Sequence, residues 1–223
     1  GQILDLLKEL KIDDNTMVIV SGDNGGNPYF KNEVHPHGFF APNVDPKTGK
    51  VFRGQKGLLY EGGLRVPFIV RWPGRIKAGS VSDHLGYFPD MMPTLAEAAG
   101  VDCPESIDGI SLLATLIGQK AAGHKQEDHE YLYWEYMGQT AVRCGSWKAY
   151  KPKKGSWELY DLGRDIEEKE SVAAQNPAIL DKMTRYAAQA HQPHVPGDIV
   201  DTELCMKDHQ KAKNPKPSER PGG

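Results

Sequence analysis

The chain has 223 residues, 39% of them hydrophobic and 26% charged, enough material for one sizeable core and a smaller satellite. A formal net charge of −3 and a pI near 6.3 give no electrostatic case for nucleic acid or acidic membranes as partners. No apolar run approaches the roughly 18 residues of a membrane span, and no signal peptide is visible.

Ile3, Leu6, Leu7 and Leu10 recur at helical spacing, so residues 2–11 read as a helix with one apolar stripe. The chain opens on Gly1 inside that pattern and is expected to be the carboxyl part of a longer protein. Asp13-Asp14-Asn15 turns into Met17, Val18, Ile19 and Val20, too short for a helix and rich in β-branched residues. That run predicts a strand buried on both faces, as in the middle of a parallel sheet. It leads into Ser21-Gly22-Asp23-Asn24-Gly25-Gly26, leaving an acid and an amide at the strand's carboxyl end, where open α/β sheets bind ligands. Asp23 and Asn24 offer adjacent hard oxygens suited to Ca²⁺ or Mg²⁺; an ordinary Asp-Asn-Gly turn is the plainer alternative.

A long loop follows to about Lys50, with His35, His37, Phe39, Phe40 and the turn signal Asp45-Pro-Lys-Thr-Gly49. His35 and His37 are candidate contacts to an anionic or sugar ligand, and Phe39 or Phe40 to a sugar ring. Equally, these side chains pack against the body of the protein. Lys56 sits among glycines on a backbone able to approach a ligand closely, and its ammonium is a compact charge with three donors. Taken alone it reads as a solvated surface lysine. Glu61 and Arg65, four apart on a Gly-rich turn, are candidates to pair with each other as framework rather than as acid or base.

Val66–Trp72 predicts a second strand, Pro89–Ala99 a helix stopped by Gly100, and Asp83 with His84 a pair of buried structural polar residues. Residues 106–118 close the larger domain and 119–128 are polar enough for a linker. Aromatic-rich runs at 131–136, 140–143, 146–150 and 157–160 then predict an antiparallel sheet of about four strands. A helix follows, with Asn176 as N-cap, Pro177 first, and Ile179, Leu180, Met183 and Ala187 as its buried stripe. Past Gln192, five prolines among charges read as an extended or disordered tail. Cys103, Cys144 and Cys205 are too far apart for a metal knuckle and odd in number, and read as packing residues.

Two stretches, Ser21-Asp23-Asn24-Gly25 with its intervening glycine and Gly54 to Pro67 with Lys56, Glu61-Gly-Gly, Arg65 and Pro67, stand in this order about thirty residues apart. Together they resemble the metal-binding turn and the "GK-x4-EGG-x-R-x-P" segment of the formylglycine-dependent sulfatases, in the alkaline-phosphatase superfamily. Arg71-Trp-Pro-Gly74, Met92-Pro-Thr94, Asp108-Gly109 and Leu159-Tyr-Asp-Leu162 extend the resemblance over nearly the whole chain. It is similar above all to the arylsulfatase A and N-acetylgalactosamine-6-sulfatase types. The resemblance implies an α/β fold: part of a doubly wound sheet over residues 1–122, a small antiparallel sheet plus helix over 123–192, and a tail over 193–223. It implies Asp23 and Asn24 as ligands of Ca²⁺ (Mg²⁺ as the alternative), Lys56 as the sulfate-binding lysine, and Glu61 and Arg65 as support.

The substrate implied is a sulfate ester, on carbohydrate, and the compartment extracytoplasmic: periplasmic, secreted or lysosomal. The formylglycine nucleophile would lie in an amino-terminal half, the expected partner of this fragment, which alone is expected to be inactive. Cys103 is followed directly by Pro104 with no arginine at the right place, so it is not the residue converted to formylglycine. Two rivals stand beside this reading: a phosphodiesterase or phosphomutase of the same superfamily, with Asp83-His84 as the nearest metal-ligand candidate, and a glycan-binding pseudoenzyme.

Overall fold

A computed structural model describes residues 1–27, 33–34 and 42–193. Helix α1 (Gln2–Glu9) carries the expected stripe, but none of its residues is buried. Strand β1 (Val18–Ser21) pairs with β2 (Phe68–Arg71), and the pairing is antiparallel, Val18 opposite Arg71 and Ser21 opposite Phe68. Arg71 also clamps the turn before β1, reaching both Asp13 carboxylate oxygens at 2.6 and 2.8 Å.

The expectation of a strand buried on both faces is corrected here. Val20 is 56% exposed and Ile69 61%, and among the described residues no third strand joins the pair. A β-branched run specifies an extended backbone; it does not specify the number or direction of its neighbours.

The segment between β1 and β2 contains a short helix, α2 (Glu61–Leu64). Helix α3 (Met91–Ala99) follows a 3₁₀ turn at Phe88–Asp90 and stops at Gly100, whose φ is +69°. Buried Asp90 clamps this corner: its carboxylate accepts from the Tyr87 and Ile110 amides at 2.8 and 2.9 Å and meets His129 Nε2 at 2.8 Å. Helix α4 (Leu113–Ile117) leads into α5 (Gln119–Ala122), so the start of the expected linker is one helical turn. Asp83 is exposed and pairs with Lys47 at 2.6 Å, which corrects its assignment to the interior; only His84 is mostly buried.

The four-stranded sheet matches expectation. β3 (Leu132–Tyr136), β4 (Gln139–Cys144), β5 (Trp147–Lys151) and β6 (Glu158–Asp161) form an antiparallel meander in chain order. Met137 and Gly138, both at positive φ, make the two-residue turn that matches strand twist. Both faces of the sheet are covered. On one, Val142, Ala149 and Leu159 pack on Met183, Tyr186 and Ala187 of α6 (Pro177–Ala190). On the other, Ala141, Tyr150 and Tyr160 pack on Leu59, Tyr60 and Leu162, which brings the segment before α2 onto the sheet. The Asn176 amide turns back to the Val172 carbonyl at 3.0 Å as α6 begins.

That second face also carries charge. Lys148, fully buried on β5, meets Glu61 Oε1 at 2.9 Å and Glu168 Oε1 at 2.8 Å. Arg143 on β4 reaches Glu61 Oε2 at 3.1 Å, and Arg65 bonds the same oxygen. Glu168 Oε2 accepts from the Glu61 amide at 2.7 Å. Burial raises the Glu61 carboxyl, but Lys148, Arg143 and Arg65 outweigh it and bring it from 4.5 down to about 2. Glu168 is pushed up by burial, with Lys148 opposing.

A depressed carboxyl stabilises the fold above its unfolded value and loses that contribution as pH falls through the folded one. Chemical unfolding from pH 5 down to pH 2 is therefore expected to show Glu61 contributing about 3 kcal/mol that disappears with acid, partly offset by Glu168, whose contribution has the opposite sign. Glu61→Gln should flatten that slope. Lys148→Met, which strands Glu168 and leaves Glu61 to Arg143 and Arg65, should cost on the order of 3–5 kcal/mol near neutrality and less in acid. An unchanged acid slope in Glu61→Gln would show that the carboxylate is not held ionised by its neighbours.

Candidate active site

The turn that ends β1 and the Gly-rich segment around α2 meet backbone to backbone. The Gly25 amide donates to the Gly63 carbonyl at 3.0 Å, and the Lys56 amide donates to the Gly26 carbonyl at 3.0 Å. Within the segment, the Gly62 amide returns to the Arg53 carbonyl at 2.7 Å. A Cβ on Gly25 would fall 1.8 Å from the Gly62 carbonyl oxygen, and one on Gly63 1.9 Å from that of Leu58. Glycine is required at both places because main chains occupy the space a side chain would take.

Asp23 and Lys56 are exposed and Asn24 is half-buried. Among the described residues, no hydrogen bond or ion pair engages the Asp23 carboxylate, the Asn24 amide or the Lys56 ammonium. The pairing of Lys56's amide with Gly26 sets its backbone two residues from Asn24 along the turn. The candidate hard-oxygen pair and the candidate anion-binding cation thus belong to one backbone-bonded unit.

Ca²⁺ takes six to eight oxygen ligands. Asp23 and Asn24 present a charged and a neutral oxygen with no competing partner among the described residues, a donor set of the right chemistry that fits part of such a shell. Among the described residues, no group of three His, Cys, Asp or Glu side chains stands ready to hold a metal.

Glu61 and Arg65 lie behind this unit. Arg65 is braced further by its carbonyl, which accepts from Asn43 at 2.6 Å, and by its guanidinium, 5.0 Å from the Phe52 ring centre. His35, His37, Phe39 and Phe40 lie outside the described residues. Asp83 and His84 point to different partners, Lys47 and Asp128, and build no ligand set together. Sequence reasoning missed Lys148, Arg143, Glu168 and Gln139. The one available signal was Lys148 two residues from Tyr150 on an aromatic-rich strand, a charge placed on the side of a buried ring.

Residues 52–191 match the family model for the C-terminal region of N-sulphoglucosamine sulphohydrolase, and residues 1–101 match the sulfatase model. An uncharacterized sulfatase of Schizosaccharomyces pombe is 32% identical over 83% of this chain and 39% of its own length. Human N-acetylgalactosamine-6-sulfatase is 30% identical over 95% of this chain and 38% of its own length. Among solved structures, Ps i-CgsB in complex with k-i-k-neocarrahexaose superposes with a TM-score of 0.70 at 26% identity, over 96% of this chain and 45% of that one. The chain spans about two-fifths of the length of the curated relatives it matches. The matched family models show that this chain belongs to the sulfatase family.

Proposed function

We propose that this chain forms part of a sulfuric ester hydrolase acting on sulfated carbohydrate, and that it supplies the sulfate-gripping lysine and two metal ligands. The observation that carries the reading is the backbone union of the Asp23-Asn24 turn with the Lys56 loop. The names of relatives support the substrate class: the human and Bacteroides thetaiotaomicron proteins are named for 6-sulfated N-acetylgalactosamine. Residues 1–122 would belong to the catalytic α/β domain and 123–192 to the small carboxyl-terminal subdomain. By family alone we place the protein in an extracytoplasmic compartment; among the described residues no helix is long and apolar enough to cross a membrane.

The Lys56 ammonium donates to one oxygen of the sulfate and offsets the negative charge that grows there as the ester bond breaks. Asp23 and Asn24 would hold Ca²⁺, with Mg²⁺ as the alternative, and such a cation supplies neutralisation of the same sulfate charge. Formylglycine, the nucleophile of the family, would come from the amino-terminal part of the protein. Glu61 takes no part in proton transfer. Its carboxyl is buried and held ionised by three cations. The phosphoryl-transfer rival has no specific observation in its favour, since Asp83 and His84 diverge.

Three outcomes test this reading. In the full-length protein, Asp23→Ala should lose Ca²⁺ affinity, measured by calorimetry, and nearly all sulfatase turnover while the fold survives; a fully active variant removes Asp23 from the site. Lys56→Ala should cost on the order of 2–4 kcal/mol in the transition state, roughly a hundredfold or more in rate. Lys56→Arg should rescue it poorly, because a planar fork does not replace a point charge. Wild-type rates in Lys56→Ala would make that residue an ordinary surface lysine. The 223-residue chain alone, mixed with an aryl sulfate and Ca²⁺, should release no sulfate above a protein-free control.

A further inference from the structure

Gln139, the first residue of β4, is 8% exposed and uses both ends of its amide. Its Nε2 donates to the Gly57 carbonyl at 2.9 Å, across 82 residues of chain, and its Oε1 accepts from the Tyr150 hydroxyl at 2.9 Å. A carbonyl oxygen only accepts, so Nε2 must face Gly57 and the amide has one orientation. Tyr150 is itself fixed, its ring centre 4.1 Å from that of Tyr60, whose hydroxyl donates to Glu158 at 2.9 Å. The residue that Gln139 holds is the immediate neighbour of Lys56.

The Lys56 loop needs such an anchor. Gly54 and Gly57 flank it at φ +84° and +88°, a conformation that glycine adopts freely and leaves as freely. The Gly26 carbonyl holds the loop on one side through the Lys56 amide, and Leu58 returns to Gln55 within it at 3.0 Å. Gln139 supplies the hold on the other side, from a strand buried in the core of the antiparallel sheet.

We propose that Gln139 is a positioning residue for Lys56: through the Gly57 carbonyl, the antiparallel sheet sets where the ammonium stands against the sulfate. This rests on the reading of Lys56 as the sulfate-binding lysine. Gln139 acts through the backbone and does not touch substrate. A glutamate there would present an ionised acceptor to a carbonyl acceptor, so the amide is required and its acidic isostere does not replace it.

The test uses the full-length protein with Gln139→Met, which keeps the volume and removes both hydrogen bonds. Hydrogen exchange at the Lys56, Gly57 and Leu58 amides should speed up about tenfold, with α6 unchanged, as expected for the loss of one anchoring hydrogen bond. Turnover of an aryl sulfate should fall about tenfold in kcat/KM, and this loss should vanish in a Lys56→Ala background, because displaced positioning matters only while the positioned group is present. Gln139→Glu should behave like Gln139→Met. Tyr150→Phe, which leaves Gln139 in place with one hydrogen bond, should shift exchange in the same direction by less and serves if Gln139→Met fails to fold. Unchanged exchange at residues 56–58, or an equal loss of turnover with and without Lys56, overturns the inference. Failure of the Lys56 reading shows separately: Lys56→Ala is then as active as wild type. An impaired Lys56→Ala beside a fully active Gln139→Met sinks the role of Gln139 alone.

Discussion

Two buried carboxylates and the three cations that meet them, between a Gly-rich segment and a sheet, decide how this chain is arranged. Glu61 holds Lys148, Arg143 and Arg65, and Glu168 shares Lys148 while receiving the Glu61 amide. Every member is within reach of an opposite charge, which makes the burial tolerable: an isolated carboxylate in the same place would neutralise itself or drag in water. The arrangement also locks geometry, because Glu61 is engaged through both its side chain and its backbone. A slip of α2 along the sheet would break several charge-assisted bonds together. Arg53 reinforces the same seam, donating to the Tyr160 hydroxyl at 2.9 Å and to the Glu168 carbonyl at 2.7 Å.

With α2 seated, the glycines beside it become intelligible. Gly62 and Gly63 are where the strand-end turn and the loop before α2 pass within backbone contact, and Gly25 completes the crossing from the other side. Side-chain bulk has been excluded where main chains must meet, and the proposed site residues stand outside those positions. Asp23, Asn24 and Lys56 owe their placement to amides and carbonyls rather than to packing of their own side chains. Their exposure is therefore compatible with definite position.

Much of this was legible from residues alone, and the exceptions share a cause. The meander was visible because aromatic and β-branched runs, punctuated by glycine, report a local conformation. The helix opened by Pro177 was visible for the same reason, as was the pairing of Glu61 with Arg65, which lie one helical turn apart. What escaped lies at long range. The antiparallel partner of β1 is some fifty residues away, and neither strand encodes the other's direction. Lys148 and Glu168 pair with residues about ninety and a hundred positions earlier, and no pattern in Trp147-Lys148-Ala149-Tyr150 announces a carboxylate across the interface. Asp83 was expected in the interior because a β-like stretch preceded it; the chain there is loop, and a lysine 36 residues back takes the carboxylate at the surface.

Lys56 and Lys148 show how far residue type underdetermines role. Both are ammonium groups within reach of the same Gly-rich segment, and their surroundings assign them opposite tasks. Lys148 is buried and bound to two carboxylates; moving it toward a ligand would take the cation from Glu168 and leave Glu61 to Arg143 and Arg65 alone. Lys56 is exposed, carries no counter-charge from the described residues, and stands on a backbone fixed by Gly26 and, through Gly57, by Gln139. An anion can take up a cation only if that cation has no prior partner or must surrender little to leave it. The buried network commits Glu61 and Glu168 to Lys148, Arg143 and Arg65, and among the described residues no carboxylate pairs with the Lys56 ammonium.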